Sequence, residues 1–560
     1  MRQNKLGFNI PEQTNNSSKD FSIPAIESWR SNLKMADTSE VTNNILTMLK
    51  DLNTSNIEPN NRFQILEIIR PITLTIMQSV KKSYTNRTQP LSTKKQEIIN
   101  LTKSLLNEVL IGYKITVIGN SPESLPNAIY RCFKYSNHIL SICYDLYTQP
   151  PENIWKEIHS LYRYAEDCNI SKNTITIELA EKNKTFTVIS PYKLSLFLAA
   201  TNPYQWRQVE LELLFKYADL WEEFITIRPF KDKDLSSDSI GIFLIPTEED
   251  QGPVPTNSKN ANPGKNQLVI DLSLLIEYLK KNTISNIEVS ENEMAKFSLQ
   301  KLVYYLLHGH QRKLVRFNIL GQVAAAFGFL STHYHINKKI TFKPDSVGSE
   351  ESTDNNEEFQ LTADTMLDEF ALGNTKNNTE SEFKADTFLY KCNLVNIHGE
   401  GAGIKFKNIS FPPIQPGELV AMTIATSEED DLNETHWNIG TVRWLKHDQD
   451  NNLTAGVQIL APFAIASAVQ LLKKDGSPSG YFQRALLFQD EAKDTYNLIT
   501  PVMQFESGKK VKVYSYYHKD FVETELKTQV ESTSNFKRFV INIKLKDPAT
   551  INKSSPLQDL

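Results

Sequence analysis

Residues 436–460 read HWNIGTVRWLKHDQDNNLTAGVQIL, and this stretch decides the fold of the region around it. Apolar and polar residues alternate on both sides of the polar turn at 447–452, a pattern typical of a β-hairpin with one buried face. The alternation shifts by one residue at Gly440, which indicates a β-bulge. The apolar positions that continue one face across this shift are Trp437, Ile439, Val442 and Trp444. The stretch therefore predicts two paired antiparallel strands.

Length and composition restrict the class of protein. The chain has 560 residues, enough for about three or four domains, and 40% of them are apolar, enough to bury sizeable cores. Its net charge of −5 argues against a protein that coats nucleic acid. The four cysteines form no CxxC pair, which fits a reducing compartment. No window approaches the roughly 18 apolar residues of a membrane helix, so we expect a cytoplasmic protein without membrane insertion.

Periodicity along the chain predicts a multidomain α+β protein. Residues 1–30 are polar and predict a flexible tail, and apolar stripes at the helical period predict a helical N-terminal bundle over 31–170. A mixed α/β middle region follows at 171–309. Residues 310–475 are mainly strand-like, and further alternating runs predict another small β unit at 480–560.

An acidic segment interrupts the strand-rich part. Residues 345–386 carry twelve acids and two lysines, a local balance of −10, within an insertion that we place at 337–386. Such composition favours a mobile, solvated segment that is dispensable for folding. Its interspersed Phe359, Phe370 and Phe383 leave open a second interpretation, a docking segment for a protein partner.

The sequence contains no standard catalytic motif: G-x-x-x-x-G-K-[ST], H-E-x-x-H and G-x-S-x-G are all absent. Two histidine pairs, His308 with His310 and His333 with His335, have a spacing that would suit a metal on a strand. No carboxylate or cysteine spacing completes such a site, so a structural role is favoured. We therefore predict no metal, no cofactor and no enzymatic activity.

Two short elements together suggest binding of a nucleotide. Arg312 and Arg316 precede a strand-like run, and Asn396, His398 and Gly401 lie in a turn between two others. Guanidinium groups can stack on purine faces and donate paired hydrogen bonds to guanine or phosphate. A tight Asn–Gly turn can offer an amide and backbone N–H groups to the same ligand. The alternative is a charged loop beside an ordinary hairpin.

These residues resemble the motifs of PilZ domains, small β-barrels that bind cyclic di-GMP in bacteria. Arg312 and Arg316 match R-x-x-x-R, and Asn396 to Gly401 match [D/N]-x-S-x-x-G. The similarity covers roughly 310–475, and the run NNRFQILEIIRPITLTIMQSVKKSY resembles long gammaproteobacterial PilZ proteins with a helical front half. The resemblance implies that one antiparallel barrel contains Gly321–Phe329, Thr387–Val395, Ile404–Lys407, Leu419–Ala425, Trp437–Leu445 and Leu453–Leu460, followed by a helix from Pro462 to Leu472.

The resemblance implies a non-catalytic receptor that couples cyclic di-GMP, its possible ligand, to an unidentified protein partner. The expected ligand-binding residues are Arg312, Arg316, Asn396, His398 and Gly401. Two departures from the family pattern support an alternative: histidine replaces the motif serine at 398, and the acidic insertion separates the two motifs. That alternative is an interaction scaffold with a degenerate PilZ-like barrel that no longer binds nucleotide.

Overall fold

A computed structural model describes residues 6–15, 19–33, 37–85, 91–177, 184–236, 239–256, 267–284, 293–308, 317–348, 389–398, 400–407, 414–424, 437–490, 495–533 and 535–543. The chain forms two compact units. The first contains Met1–Asn86 and Leu91–Arg312, and the second contains Lys313–Leu560 with Arg87–Pro90. Most of the acidic segment 345–386, including its three phenylalanines, lies outside the described residues.

The first unit is mainly helical. Its helices are α1 (Ile23–Ser31), α2 (Thr38–Thr54), α3 (Pro59–Tyr84), α4 (Thr93–Gly119), α5 (Leu125–Asp145), α6 (Ile154–Asp167), α7 (Ser190–Ala200), α8 (Gln208–Ala218), α9 (Ser273–Ile284) and α10 (Glu293–His308). Its strands are β1 (Thr174–Ile177), β2 (Lys184–Thr187), β3 (Thr226–Pro229), β4 (Ile242–Ile245), β5 (Val254–Pro255) and β6 (Leu268–Asp271). Strands β1 and β2 form a hairpin, and the others form a four-stranded sheet in the order β3-β6-β4-β5.

Local sequence explains where these helices begin and which face they bury. In α2, the Asp37 carboxylate accepts hydrogen bonds from the backbone N–H groups of Ser39 and Glu40 at 2.8 and 3.1 Å, which caps the helix. The apolar stripe of the same helix is fully buried at Ile45 and Leu49. One hydrophobic core extends from Phe8 to Leu306, so the helices and the four-stranded sheet pack as a single unit.

The prediction of a flexible tail over residues 1–30 is wrong for its described part. Phe8 is only 4% exposed and packs into the core of the first unit, and α1 begins at Ile23. Thr14 pairs with Ser55 as an isolated parallel bridge. The segment is polar on average, but its few apolar side chains are enough to dock it because each buries most of its surface.

The second unit opens with a closed six-stranded barrel. Its strands are β7 (Phe317–Phe327), β8 (Tyr390–His398), β9 (Gly401–Phe406), β10 (Leu419–Ile424), β11 (Asn438–His447) and β12 (Leu453–Ala461), with α11 (Phe329–Ile336) after β7. All pairings are antiparallel, in the cyclic order β7-β8-β9-β12-β11-β10. Each of the six predicted segments overlaps one of these strands, so the predicted antiparallel barrel is confirmed. The register of the β11–β12 ladder shifts at Gly440, but the extra residue is Leu460 of β12, since Ile439 pairs with Ala461 and Gly440 with Ile459.

A seven-stranded sheet follows the barrel. It contains β13 (Ile465–Leu472), β14 (Pro478–Asp490), β15 (Thr495–Thr500), β16 (Lys510–Ser515), β17 (Asp520–Glu525), β18 (Gln529–Ser532) and β19 (Lys537–Ile541), in the order β17-β16-β13-β14-β15-β19-β18. The predicted β unit is confirmed, but the predicted helix Pro462–Leu472 is wrong. Its residues form β13 because pairing with β14 and β16 satisfies the backbone on both sides, which outweighs local helix propensity.

The barrel and the seven-stranded sheet share a hydrophobic core within the second unit. Leu419 and Ile439 of the barrel pack with Leu486, Phe488 and Ile499 of the sheet, and all five are buried. These contacts fix the two β structures against each other. Among the described residues of the whole chain, no helix is long and apolar enough to cross a membrane.

Candidate functional site

A bulge in β8 turns Asn396 onto the outer face of the barrel. Leu394 pairs with Ile404 and both are buried inside, whereas Asn396 pairs with Gly403, so Val395 is an extra residue between the two pairs. An extra residue reverses the strict alternation of faces along a strand. The Asn396 amide lies directly over Gly403, since a Cβ at that glycine would be 2.9 Å from Asn396 Oδ1.

The turn that follows Asn396 joins β8 to β9. His398 ends β8 and pairs with Gly401, the first residue of β9. Gly401 also pairs with Gln458 of β12, and the Ile459 N–H donates a 3.0 Å hydrogen bond to the Glu400 carbonyl. The predicted motif residues Asn396, His398 and Gly401 therefore meet at one end of the β8–β9 hairpin, tied to β12.

Two paired glycines form the surface beside this turn, which we call the glycine floor: Gly403 of β9 and Gly456 of β12. Trp444 of β11 pairs with Gly456, and its indole lies across that glycine so closely that a Cβ would overlap the ring. The Asn396 amide thus covers one glycine of the floor and the Trp444 indole covers the other. An indole beside an amide can stack on a planar heterocycle and hydrogen-bond to its edge.

Trp444 is on this outer face because the β11–β12 ladder has a second bulge that the sequence pattern did not predict. Val442 pairs with Val457 and Trp444 pairs with Gly456, so Arg443 is the extra residue. The next residue, Leu445, is buried inside the barrel. The interpretation that Trp444 continues the same face as Val442 is therefore wrong. The Arg443 side chain reaches along the outer face, where its Nε donates a 2.7 Å hydrogen bond to Gln458 Oε1.

The charge of a neighbouring lysine is already paired. Lys405 Nζ lies 2.8 Å from Asp448 Oδ2, and the Lys405 contact together with hydrogen bonds from Asn452 holds the pKa of the Asp448 carboxyl below its usual range. The carboxylate also closes the predicted polar turn, where it accepts from the Asn452 N–H at 2.8 Å.

Arg312 and Arg316 lie outside the described residues. Strand β7 begins at the residue after them, and it pairs with the motif strand: Phe317 with Ile397, and Asn318 with Asn396. Their role as ligand-binding residues stays a prediction. Sequence reasoning missed Arg443, Trp444 and Gln458, although the glycines at 403 and 456 were a usable signal, since glycine within a strand often marks close approach.

The histidine pair His333 and His335 lies in α11, where a spacing of two residues directs the side chains about 200° apart. His333 Nε2 is 3.1 Å from the Ser467 carbonyl, and burial lowers its pKa to about 3. It therefore donates as a neutral imidazole and links α11 to β13. The described side chains include no group of three or more His, Cys, Asp or Glu placed to hold a metal.

Comparison with known proteins agrees with this architecture. Three family models match consecutive parts of the chain: the N-terminal domain of the cyclic-di-GMP receptor FimW at 24–232, its middle PilZ domain at 345–465, and the FimW C-terminal beta-barrel domain at 467–543. The cyclic-di-GMP receptor FimW of Pseudomonas aeruginosa PAO1 is 24% identical, over 94% of this chain and 92% of the relative. No solved structure matches. The chain belongs to the PilZ-domain proteins with the three-domain organisation of the FimW family.

Proposed function

We propose that this protein is a non-catalytic receptor for cyclic di-GMP that passes the binding signal to a protein partner in the cytoplasm. The observation that carries the proposal is the position of Asn396 and Gly401 on one outer face of a PilZ barrel, beside the glycine floor. The relative that matches nearly the whole chain is itself described as a cyclic-di-GMP receptor. Fold, motif geometry and relative support the same ligand.

The proposed binding residues act through complementary chemistry. Asn396 offers an amide that can donate to and accept from a guanine edge, and Gly401 lets the ligand approach the backbone closely. Arg312 and Arg316 supply guanidinium groups for guanine and phosphate, a role supported by the pairing of the strand after them with the Asn396 strand. His398, at the position of the motif serine, borders the same turn.

The alternative, a scaffold with a degenerate barrel, is not favoured. His398 is a departure at one motif position, but the hairpin register around it is intact from Ile397 to Gly401. The relative matched over 94% of the chain is a receptor by name. A protein partner remains part of the proposal because a receptor without catalytic groups has to act through another molecule.

Calorimetric titration of the full-length protein with cyclic di-GMP tests the proposal. Arg312→Ala and Arg316→Ala should each weaken binding about 5- to 150-fold, which corresponds to about 1–3 kcal/mol for a charge-assisted contact. Lysine at either position should not restore affinity, because it lacks the planar fork of donors. Arg163→Ala is the matched control, since that arginine is 40% exposed on α6 in the first unit.

Two results would overturn the proposal. One is the absence of heat and of any thermal stabilisation with wild-type protein at high micromolar cyclic di-GMP. The other is wild-type affinity in both Arg312→Ala and Arg316→Ala, which would leave the scaffold as the better account.

A further inference from the structure

An ion pair connects the PilZ barrel to the seven-stranded sheet at the edge of the candidate site. Arg443 Nη1 of β11 lies 2.7 Å from Glu531 Oε1 of β18. The same carboxylate lies 3.4 Å from Arg538 Nε of β19. Glu531 is only 10% exposed, so the pair is screened far less than a surface salt bridge.

Bulges bring these two side chains together from both sides. Arg443 is the extra residue between two pairs of the β11–β12 ladder. On β18 the extra residue is Val530, which is 45% exposed, and the residue after it, Glu531, pairs with Arg538. A bulge aims a side chain away from regular alternation, and here each bulge adjoins one member of the ion pair.

Two carboxylates act on the arginines of this cluster. Glu531 lies between the guanidinium groups of Arg443 and Arg538, and Asp490 also interacts electrostatically with Arg538. Burial lowers the pKa of the Arg538 guanidinium, a sign that its charge is poorly solvated. An anion can approach the cluster from its exposed side.

Arg443 occupies that exposed side. Its side chain is 40% exposed, its Nε is bonded to Gln458, and Gln458 pairs with Gly401 of the motif turn. Two partners thus hold the guanidinium, the amide of Gln458 from the barrel and the carboxylate of Glu531 from the sheet. A guanidinium held by one hydrogen bond and one ion pair has fewer orientations open to it, which lowers the entropy cost of a further contact.

We propose that Arg443 is a further contact residue for the dianionic nucleotide, and that Glu531 of the C-terminal sheet is the positioning residue that holds it at the site. The inference rests on the proposed function and extends it: the C-terminal β domain completes the binding site. Reciprocity then requires that nucleotide binding stabilise the junction between barrel and sheet.

The test measures cyclic di-GMP affinity by calorimetry in full-length variants. Arg443→Gln should weaken binding at least fivefold. Glu531→Gln, which removes the charge and keeps the shape, should weaken it about three- to tenfold although Glu531 touches no nucleotide. The double variant should bind like Arg443→Gln alone, because the glutamate acts through the arginine. Glu506→Gln is the matched control, a 66% exposed glutamate of the same C-terminal domain, and should bind like wild type.

Hydrogen exchange supplies a readout that general loss of stability does not imitate. Cyclic di-GMP should slow exchange in the β18–β19 hairpin of the wild type, and this protection should disappear in Glu531→Gln. If Glu531→Gln lowers the melting temperature, the same exchange measurement on Arg443→Gln decides the question. The Arg443 side chain is partly exposed, and the protection of the β18–β19 hairpin by nucleotide should be lost in this variant as well.

The outcomes separate this inference from the proposed function. Wild-type binding that is sensitive to Arg312→Ala but unchanged in Arg443→Gln and Glu531→Gln would refute the inference and leave the receptor standing. A loss in Arg443→Gln without any loss in Glu531→Gln would refute the positioning role of the sheet. Absence of wild-type binding would refute both proposals.

Discussion

Substituting alanine for Gly403 tests the role of the Asn396 amide with little disturbance of the fold. The added Cβ would lie 2.9 Å from Oδ1, 3.0 Å from Nδ2 and 3.1 Å from Cγ of Asn396. Ordinary contacts to a methyl group are near 3.5 Å, so the amide has to move outward by roughly 0.5 Å. It lies at the end of a flexible side chain, and Gly403 has no positive φ to maintain, so we expect the fold to accept the change.

The expected effect is therefore on binding and not on stability. Displacing the amide by this distance misaligns a hydrogen bond to the nucleotide, which is worth about 0.5–1.5 kcal/mol, or about a two- to thirteenfold loss of affinity. Loss of the glycine in a strand should leave the melting temperature unchanged or slightly higher, since alanine reduces the entropy of the unfolded chain. Calorimetry and thermal unfolding measure the two quantities on the same protein.

A double-mutant cycle with Asn396→Ala identifies the route of the effect. If the methyl group acts by moving the Asn396 amide, Gly403→Ala should cost nothing further in the Asn396→Ala background. Additive losses would show that the methyl blocks the ligand directly. Unchanged affinity in Gly403→Ala, with Asn396→Ala impaired, would refute the placement of the amide over the floor.

Two further predictions concern stability. Phe8→Ala should lower the free energy of unfolding of the first unit by about 3 kcal/mol, measured in urea, because the Phe8 side chain is only 4% exposed. Leu235→Ala is the control and should change this free energy little, since Leu235 is 47% exposed. Equal effects of the two substitutions would mean that the N-terminal segment does not pack. His333 is neutral in the folded protein, where its pKa is about 3, whereas in the unfolded chain it takes up a proton below about pH 6.5. The free energy of unfolding of the second unit should therefore fall by about 2 kcal/mol as the pH is lowered from 7 to 5. The loss should be absent in His333→Gln, and an equal pH dependence in both proteins would contradict it.

The barrel strands could be predicted because their signal is local. Alternation of apolar and polar residues over a few positions predicted the hairpin of β11 and β12, and the resemblance to PilZ domains implied all six strands of the barrel. The sequence pattern located the register shift at Gly440, but it did not show that the extra residue is Leu460 of the partner strand. The motif turn from Asn396 to Gly401 could be recognised because turn chemistry is likewise written in neighbouring residues.

Other elements depend on partners that are distant along the chain. The local pattern of residues 465–472 favours a helix, but they form a strand because β14 and β16 pair with them on both sides. The docking of Phe8 similarly depends on a core built from residues up to Leu306. Propensity describes an isolated segment, whereas burial and backbone pairing are supplied by the assembled fold.

The sequence by itself determined the class of protein: the barrel, the motif residues Asn396 and Gly401, and the β-rich C-terminal part. Only the tertiary structure decided which side chains surround the motif turn. The bulges at Val395 and Arg443 appear only in the register of the partner strand, and they turn Asn396 and Trp444 onto one face. The contact between Arg443 and Glu531 likewise joins two strands distant in the chain. The periodic pattern of one strand shows which of its faces is apolar, but the pairing register that places a bulge also depends on the neighbouring strand.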